Sequence, residues 1–279
     1  MSSTELPYRP PYQWKRVLRF LASRALPNIE TVENGVYART VTIGGARGRI
    51  RVENDSARNA LRVSATESLS PVLPDVLNRL RLMFDLDNDP DAVFDKLSFL
   101  NGVRDGACVA GTRSVGCFDA FETAVRTVLG QQITVKAAQT LTARFIGAFG
   151  EPVESGFAFP SPEKTAALPE QSLIDLGVAP TRAKAIAAMA KGVLERAINL
   201  SPTADAETEI PKLLALPGVG PWTANYLAIR TMRTPDAFLD SDYGVKKALD
   251  PLSAKEIKAL KEKCRPFGSY ATFNLWSSL

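Results

Sequence analysis

The chain has 279 residues, with 34 lysines and arginines against 30 acids, three cysteines and no histidine. The missing histidine removes Ser-His-Asp and Cys-His nucleophilic schemes, histidine-ligated zinc and histidine general bases, and Cys108, Cys117 and Cys264 cannot supply the closely spaced thiolates of an iron–sulfur cluster. A formal charge of +4 permits a nucleic-acid partner without pointing to one.

Met1 to Phe20 is polar and carries Pro7, Pro10 and Pro11, unlike a secretion signal, and no apolar run approaches the roughly 18 residues of a membrane helix. With an odd number of cysteines this predicts a cytoplasmic protein with reduced thiols. Trp14, Val17, Leu18, Leu21 and Ala25 mark an amphipathic first helix that Pro27 stops. Tyr37 to Ile43 alternates, Gly44-Gly45 turns, Gly48 to Val52 returns, and Leu61 to Ala65 makes a further strand. Val72, Val76, Leu80, Met83 and Phe84 then predict a helix lying back on that sheet. Residues 1–87 read as an α+β domain, closed by an acidic linker that begins at Asp85.

Beyond the linker the pattern is helical. Phe118, Phe121, Val125, Val128 and Leu129 form one stripe, and Ala137, Leu141, Phe145 and Phe149 the next, after a cap at Thr134. Ser161-Pro162-Glu163 opens a short helix and Thr181 to Ala197 a longer one. The expected organisation is a helical domain over 118–231, with 88–117 and 232–279 forming a second helical subdomain and a cleft between the two. The fold class is therefore mainly α with an N-terminal α+β domain built on an antiparallel sheet.

Chemistry concentrates in residues 213 to 243. In Leu216-Pro217-Gly218-Val219-Gly220, two glycines one residue apart permit a tight turn with outward N–H groups, suited to a phosphate. Pro221 fits a first helical position, and Trp222, Tyr226 and Ile229 follow on one face. The helix N-terminus adds to the anion site. Downstream, Asp242 precedes the short helical pattern Gly244 to Leu249, where an N-cap role and a chemical role are compatible.

LPGVGPWTANYLAIR followed by DAFLDSDY, with VRTVLGQQITVKAAQTLTARF upstream, SYATFNLW near the C-terminus and YRPPYQWKRVLRFLASRA with GVYART near the N-terminus, resembles the helix-hairpin-helix DNA glycosylases over nearly the whole chain. Within them it is similar to the branch acting on alkylated bases of the 3-methyladenine type. The resemblance implies base excision from double-stranded DNA by a monomer. Asp242 takes the catalytic position, with Asp240 and Asp236 as decoys, and Trp222, Tyr226, Tyr243, Trp276 and Phe20 take pocket positions. It implies DNA contacts at Gly218, Gly220, Thr223, Gln131, Gln132 and Lys246, with Lys136 and Lys247 nearby. Gln132 falls on the wedge that fills the space of the extruded base. Gln131 is equally readable as a polar bridge between helices. Relatives that also cleave the backbone carry a lysine where this chain has Trp222, so simple hydrolysis without a lyase step is implied. No cofactor is required by the resemblance. It adds a structural Na+ or K+ on the carbonyls of Leu214, Leu216 and Val219. A glycosylase for oxidised or deaminated purines and a non-catalytic damage-binding module remain the alternatives.

Overall fold

β1 (Ser2–Pro7), β2 (Glu30–Glu33), β3 (Val36–Ile43), β4 (Ala46–Asp55) and β5 (Ala60–Ala65) form one antiparallel sheet in the order β1-β5-β4-β3-β2 in the computed structural model, which describes residues 2–153 and 156–279. Gly44 and Gly45 connect β3 to β4 with φ of 55° and 84°, pairing Ile43 with Ala46 in the two-residue turn the sequence predicts. Tyr37, Ile50, Val52, Leu61 and Val63 are buried with Val17, Leu18 and Leu21 of α1 (Trp14–Ala22) and Val76 and Leu80 of α2 (Leu73–Met83). β1 and β2 are additions to the expected sheet. Each lies at an edge, where a short, polar strand is ordinary.

The acidic stretch is not the solvated linker its composition suggests. Asp85 is 1% exposed with φ 54°, and accepts from the Ser114 N–H (3.1 Å), the Tyr270 hydroxyl (3.3 Å) and Arg233 (2.6 Å). Burial pushes its carboxyl up against the opposing pull of Arg233. Asp89 caps α3 (Pro90–Leu97) by accepting the N–H groups of Asp91 and Ala92. The apolar interior continues across this stretch: Tyr37, Leu80 and Phe84 share one cluster with Leu97, Val115, Phe238, Ile257 and Phe273.

A second cluster is built by α4 (Ala120–Leu129), α5 (Val135–Phe149), α7 (Glu170–Asp175), α8 (Pro180–Leu194), α9 (Ala206–Leu214) and α10 (Pro221–Arg230) around Val125, Val128, Phe145, Ile186, Met189, Leu213 and Leu227, with α6 (Pro162–Ala166) lying against α8. Thr134 caps α5 and Ser161 caps α6, each through its hydroxyl. The small hairpin of β6 (Glu151–Val153) and β7 (Gly156–Ala158) docks on the N-terminal part through the Phe157 N–H to the Asn28 carbonyl. α11 (Tyr243–Ala248), α12 (Ala254–Cys264) and α13 (Gly268–Ser277) return to the first cluster. Among the described residues no helix is long and apolar enough to cross a membrane.

A buried ion cluster joins sheet and bundle. Arg39 of β3 meets Glu122 of α4 at 2.6 Å, and Arg126 of α4 meets Glu122 at 2.8 Å and Glu30 of β2 at 3.0 Å. Burial pushes Glu30 up, but Arg126 and Arg39, with the Tyr37 hydroxyl, hold it below the usual glutamate range. Arg126 also donates to the Arg24 carbonyl, fixing the chain just after α1.

Candidate active site

The hairpin between α9 and α10 shows why its glycines differ. Gly218 has φ 73°, and a Cβ there would lie 3.0 Å from the Thr181 carbonyl and 3.2 Å from the Ala185 methyl, so both backbone and packing exclude a side chain. Gly220 has φ −97°, open to any residue, and nothing stands within 4 Å of an added Cβ. Its lack of a side chain leaves clearance at the hairpin tip. Gly220 precedes Pro221, which opens α10 as expected. Gln131 bridges helices, its amide donating to the Gly218 carbonyl (2.9 Å) and the Thr223 hydroxyl (3.0 Å). Thr223, expected to face DNA, is only 3% exposed, and its hydroxyl is engaged in that bridge. Gln132 stands exposed beside it with φ 55°, and Lys246 is exposed on α11.

Asp242 caps α11. Its Oδ1 accepts the Val245 N–H (3.0 Å) and the Trp276 indole N–H (2.8 Å), and its Oδ2 accepts the Trp222 indole N–H (2.9 Å). Indoles from α10 and α13 thus clamp one carboxylate from the intervening loop. The decoys are committed elsewhere: Asp240 pairs with Lys261 at 3.2 Å and Asp236 with Arg265 at 2.9 Å.

Trp222 stacks on Tyr226 at 5.0 Å and 15°, and Tyr226 meets Trp276 at 6.1 Å and 50°. Phe20 lies behind, stacked on Trp276 at 6.1 Å and 17°. Its ring is already covered by Arg24 at 4.0 Å and Arg230 at 4.7 Å, so it backs the wall instead of offering a free face. Tyr243, expected in the pocket, is 80% exposed at the mouth. The Tyr226 hydroxyl accepts from Arg230 at 2.7 Å. Burial pushes this phenol up, but Arg230 and Arg24 outweigh it and leave it below the usual tyrosine range.

These groups line a cleft of about 1530 Å³, with Gln132 and the Gly218–Gly220 turn on its rim and no lysine among its lining residues. Among the described residues, no group of histidine, cysteine or acid side chains could hold a metal. Arg16, Arg19, Arg24 and Arg230 also line the cleft, none of them a site residue expected from the sequence. A signal existed for the first three. With Phe20 and Ser23 they repeat at helical spacing on the polar side of α1 and the turn that continues it, opposite Trp14, Val17, Leu18 and Leu21.

Residues 3–119 match the family described as AlkA N-terminal domain, and residues 125–266 match the HhH-GPD superfamily base excision DNA repair protein family. DNA-3-methyladenine glycosylase 2 of Escherichia coli is 36% identical over 97% of this chain and 95% of its own. A probable bifunctional transcriptional activator/DNA repair enzyme AlkA of Mycobacterium tuberculosis is 33% identical over 99% of this chain and 57% of its own. Among solved structures, a 3-methyladenine DNA-glycosylase from Archaeoglobus fulgidus superposes with a TM-score of 0.79 at 23% identity, covering 98% of this chain and 97% of that one.

Proposed function

The chain belongs to the HhH-GPD superfamily of base excision DNA repair proteins and carries the AlkA N-terminal domain, and from that premise we propose that it is a monofunctional DNA glycosylase hydrolysing the N-glycosidic bond of alkylated purines of the 3-methyladenine kind. The observation that carries this reading is the Asp242 carboxylate clamped by two indoles beside an aromatic wall. An N3- or N7-alkylated purine is positively charged and leaves without being protonated. The protein must extrude the base, seat it and stabilise the cationic sugar left behind.

Tyr226 and Trp276 offer the seat. Two ring layers and a base between them need about 6.8 Å at about 3.4 Å per stacked layer, so the 6.1 Å, 50° pair has to part slightly and flatten as the base enters. A carboxylate offers roughly four acceptor positions, and Asp242 spends three on the indoles and the Val245 N–H. So held, the carboxylate stands at a fixed point with about one acceptor position left. That supports electrostatic stabilisation of an oxocarbenium-like sugar over proton abstraction from water. Treating DNA with dimethyl sulfate and analysing released bases by mass spectrometry tests the activity. Failure to release 3-methyladenine would reject it.

The hairpin grips a strand phosphate through its N–H groups. Gly220→Ala should fold normally, since its φ and surroundings accept a methyl group, yet lose about fivefold in DNA affinity by anisotropy, the worth of one weakened charged contact. Unchanged affinity would remove the phosphate from that tip. Gln132 is placed to enter the duplex, where its amide can hydrogen-bond the orphaned partner base. With no lysine in the cleft, borohydride should trap no covalent protein–DNA adduct, and a trapped band would restore a lyase step. The expected Na+ or K+ would rest on the carbonyls of Leu214, Leu216 and Val219. Leu216 accepts only a long 3.3 Å bond from the Val219 N–H, which leaves capacity for a cation, whereas the Gly218 carbonyl is taken by Gln131.

A further inference from the structure

The cleft holds more positive charge than a seat for a cationic base calls for. Its acids are Glu30, Glu122 and Asp242; the first two are bound to Arg126 and Arg39, and the third to the indoles. Among the described residues no carboxylate pairs with Arg16, Arg19 or Arg24. Arg230 lines the cleft too, but its donors are satisfied by the Val115 and Gly116 carbonyls and the Tyr226 hydroxyl. The arginines of α1 and of the turn after it differ. Arg16 has a buried Nη1 with no hydrogen-bond partner. Arg24 spends Nη1 on the Ser23 hydroxyl (2.8 Å) and the Phe20 carbonyl (3.3 Å) and has the Tyr226 hydroxyl beside it, and among the described residues no acid faces its remaining donors. Its guanidinium lies 4.0 Å over Phe20 and 6.0 Å from the Trp276 ring, at the aromatic wall itself. Burial depresses both arginines, so each would gain from an acceptor arriving beside it.

We propose that the face formed by α1 and the turn that follows it, centred on Arg24, is a specificity element for negatively charged, oxygen-bearing substituents on the extruded base, so that carboxymethylated purines are accepted in preference to methylated ones. The inference rests on the glycosylase reading and adds no chemical step to it. N7-carboxymethylguanine and N7-methylguanine share the same cationic ring and leave in the same way. They differ by one carboxylate, which a guanidinium takes through paired N–H···O bonds. A strand phosphate would meet exposed Arg19 before the two partly buried arginines.

The test uses the full chain on duplexes carrying N7-methylguanine or N7-carboxymethylguanine at one site, with released bases measured by mass spectrometry. The wild-type protein should show the higher kcat/KM on the carboxymethylated duplex. Arg24→Gln should lower the carboxymethyl-to-methyl ratio by about tenfold, the worth of a charged hydrogen bond, and Arg24→Lys should recover part of it. A wild-type protein that releases methylguanine but not carboxymethylguanine would overturn the inference without any variant. So would an unchanged ratio in Arg24→Gln, or equal losses on both duplexes with a shallower salt dependence, which would assign Arg24 to the backbone. Release of neither base would instead bring down the glycosylase reading, and this one with it.

Discussion

Asp242→Asn is expected to bind methylated duplex DNA while releasing base about 10²- to 10³-fold more slowly, the size of effect seen when one electrostatic stabiliser is removed from a developing charge, or about 3–4 kcal/mol of barrier. Asparagine matches the carboxylate in size and can keep the N-cap bond to Val245 through its carbonyl oxygen. It cannot accept from both indoles. With the oxygen kept on Val245 and Trp276, Trp222 meets the amide nitrogen and faces a donor, so the clamp loosens as the charge disappears. Single-turnover release followed by mass spectrometry, beside an anisotropy titration, separates lost chemistry from lost binding. A release rate within threefold of wild type would remove Asp242 from the reaction.

The second large effect lies away from the chemistry. Glu122→Ala should cost about 3–5 kcal/mol, because it strands buried Arg39 and leaves Arg126 with Glu30 alone. Against a typical total of about 5–15 kcal/mol this is a large share, visible as a lower urea midpoint. Replacing Glu122 and Arg39 together by leucine and methionine should restore most of it, since no charge is then abandoned in the interior. A Glu122→Ala midpoint equal to wild type would mean that water reaches the cluster. Because Arg126 also holds the Arg24 carbonyl, the single variant should loosen the segment following α1, raising KM before it lowers kcat.

What could be read from the sequence was local. The β3–β4 turn, the Thr134 and Ser161 caps, and the start of α10 at Pro221 are each set by neighbours within a few residues, and the structure has them where the pattern puts them. Asp242 was legible for the same reason, as an acid at the mouth of a short helix. The clamp on it was not, because its indoles lie 20 and 34 residues away in sequence. Asp85 looked like linker because the acids around it are solvated, while its own partners Arg233 and Tyr270 are 148 and 185 residues distant. β1 and β2 lack the apolar alternation that betrays a strand, having few inward residues to show. Tyr243 was placed in the pocket by the family resemblance. Successive helical residues point about 100° apart at 3.6 per turn, and that step carries its ring out to solvent. Arg24 was passed over because a polar helix face ordinarily means water, and only packing against α10 and α13 makes it a wall.

Since one continuous interior unites Tyr37 and Leu80 with Phe238 and Phe273, the amino-terminal sheet is no detachable cassette. A fragment beginning near residue 88 would bare Leu97, Leu100, Val115 and Phe118 at once, and the loop that presents Asp242 would lose the footing on which its aim depends. Trimming this chain toward a minimal helical core removes the scaffold along with the ornament.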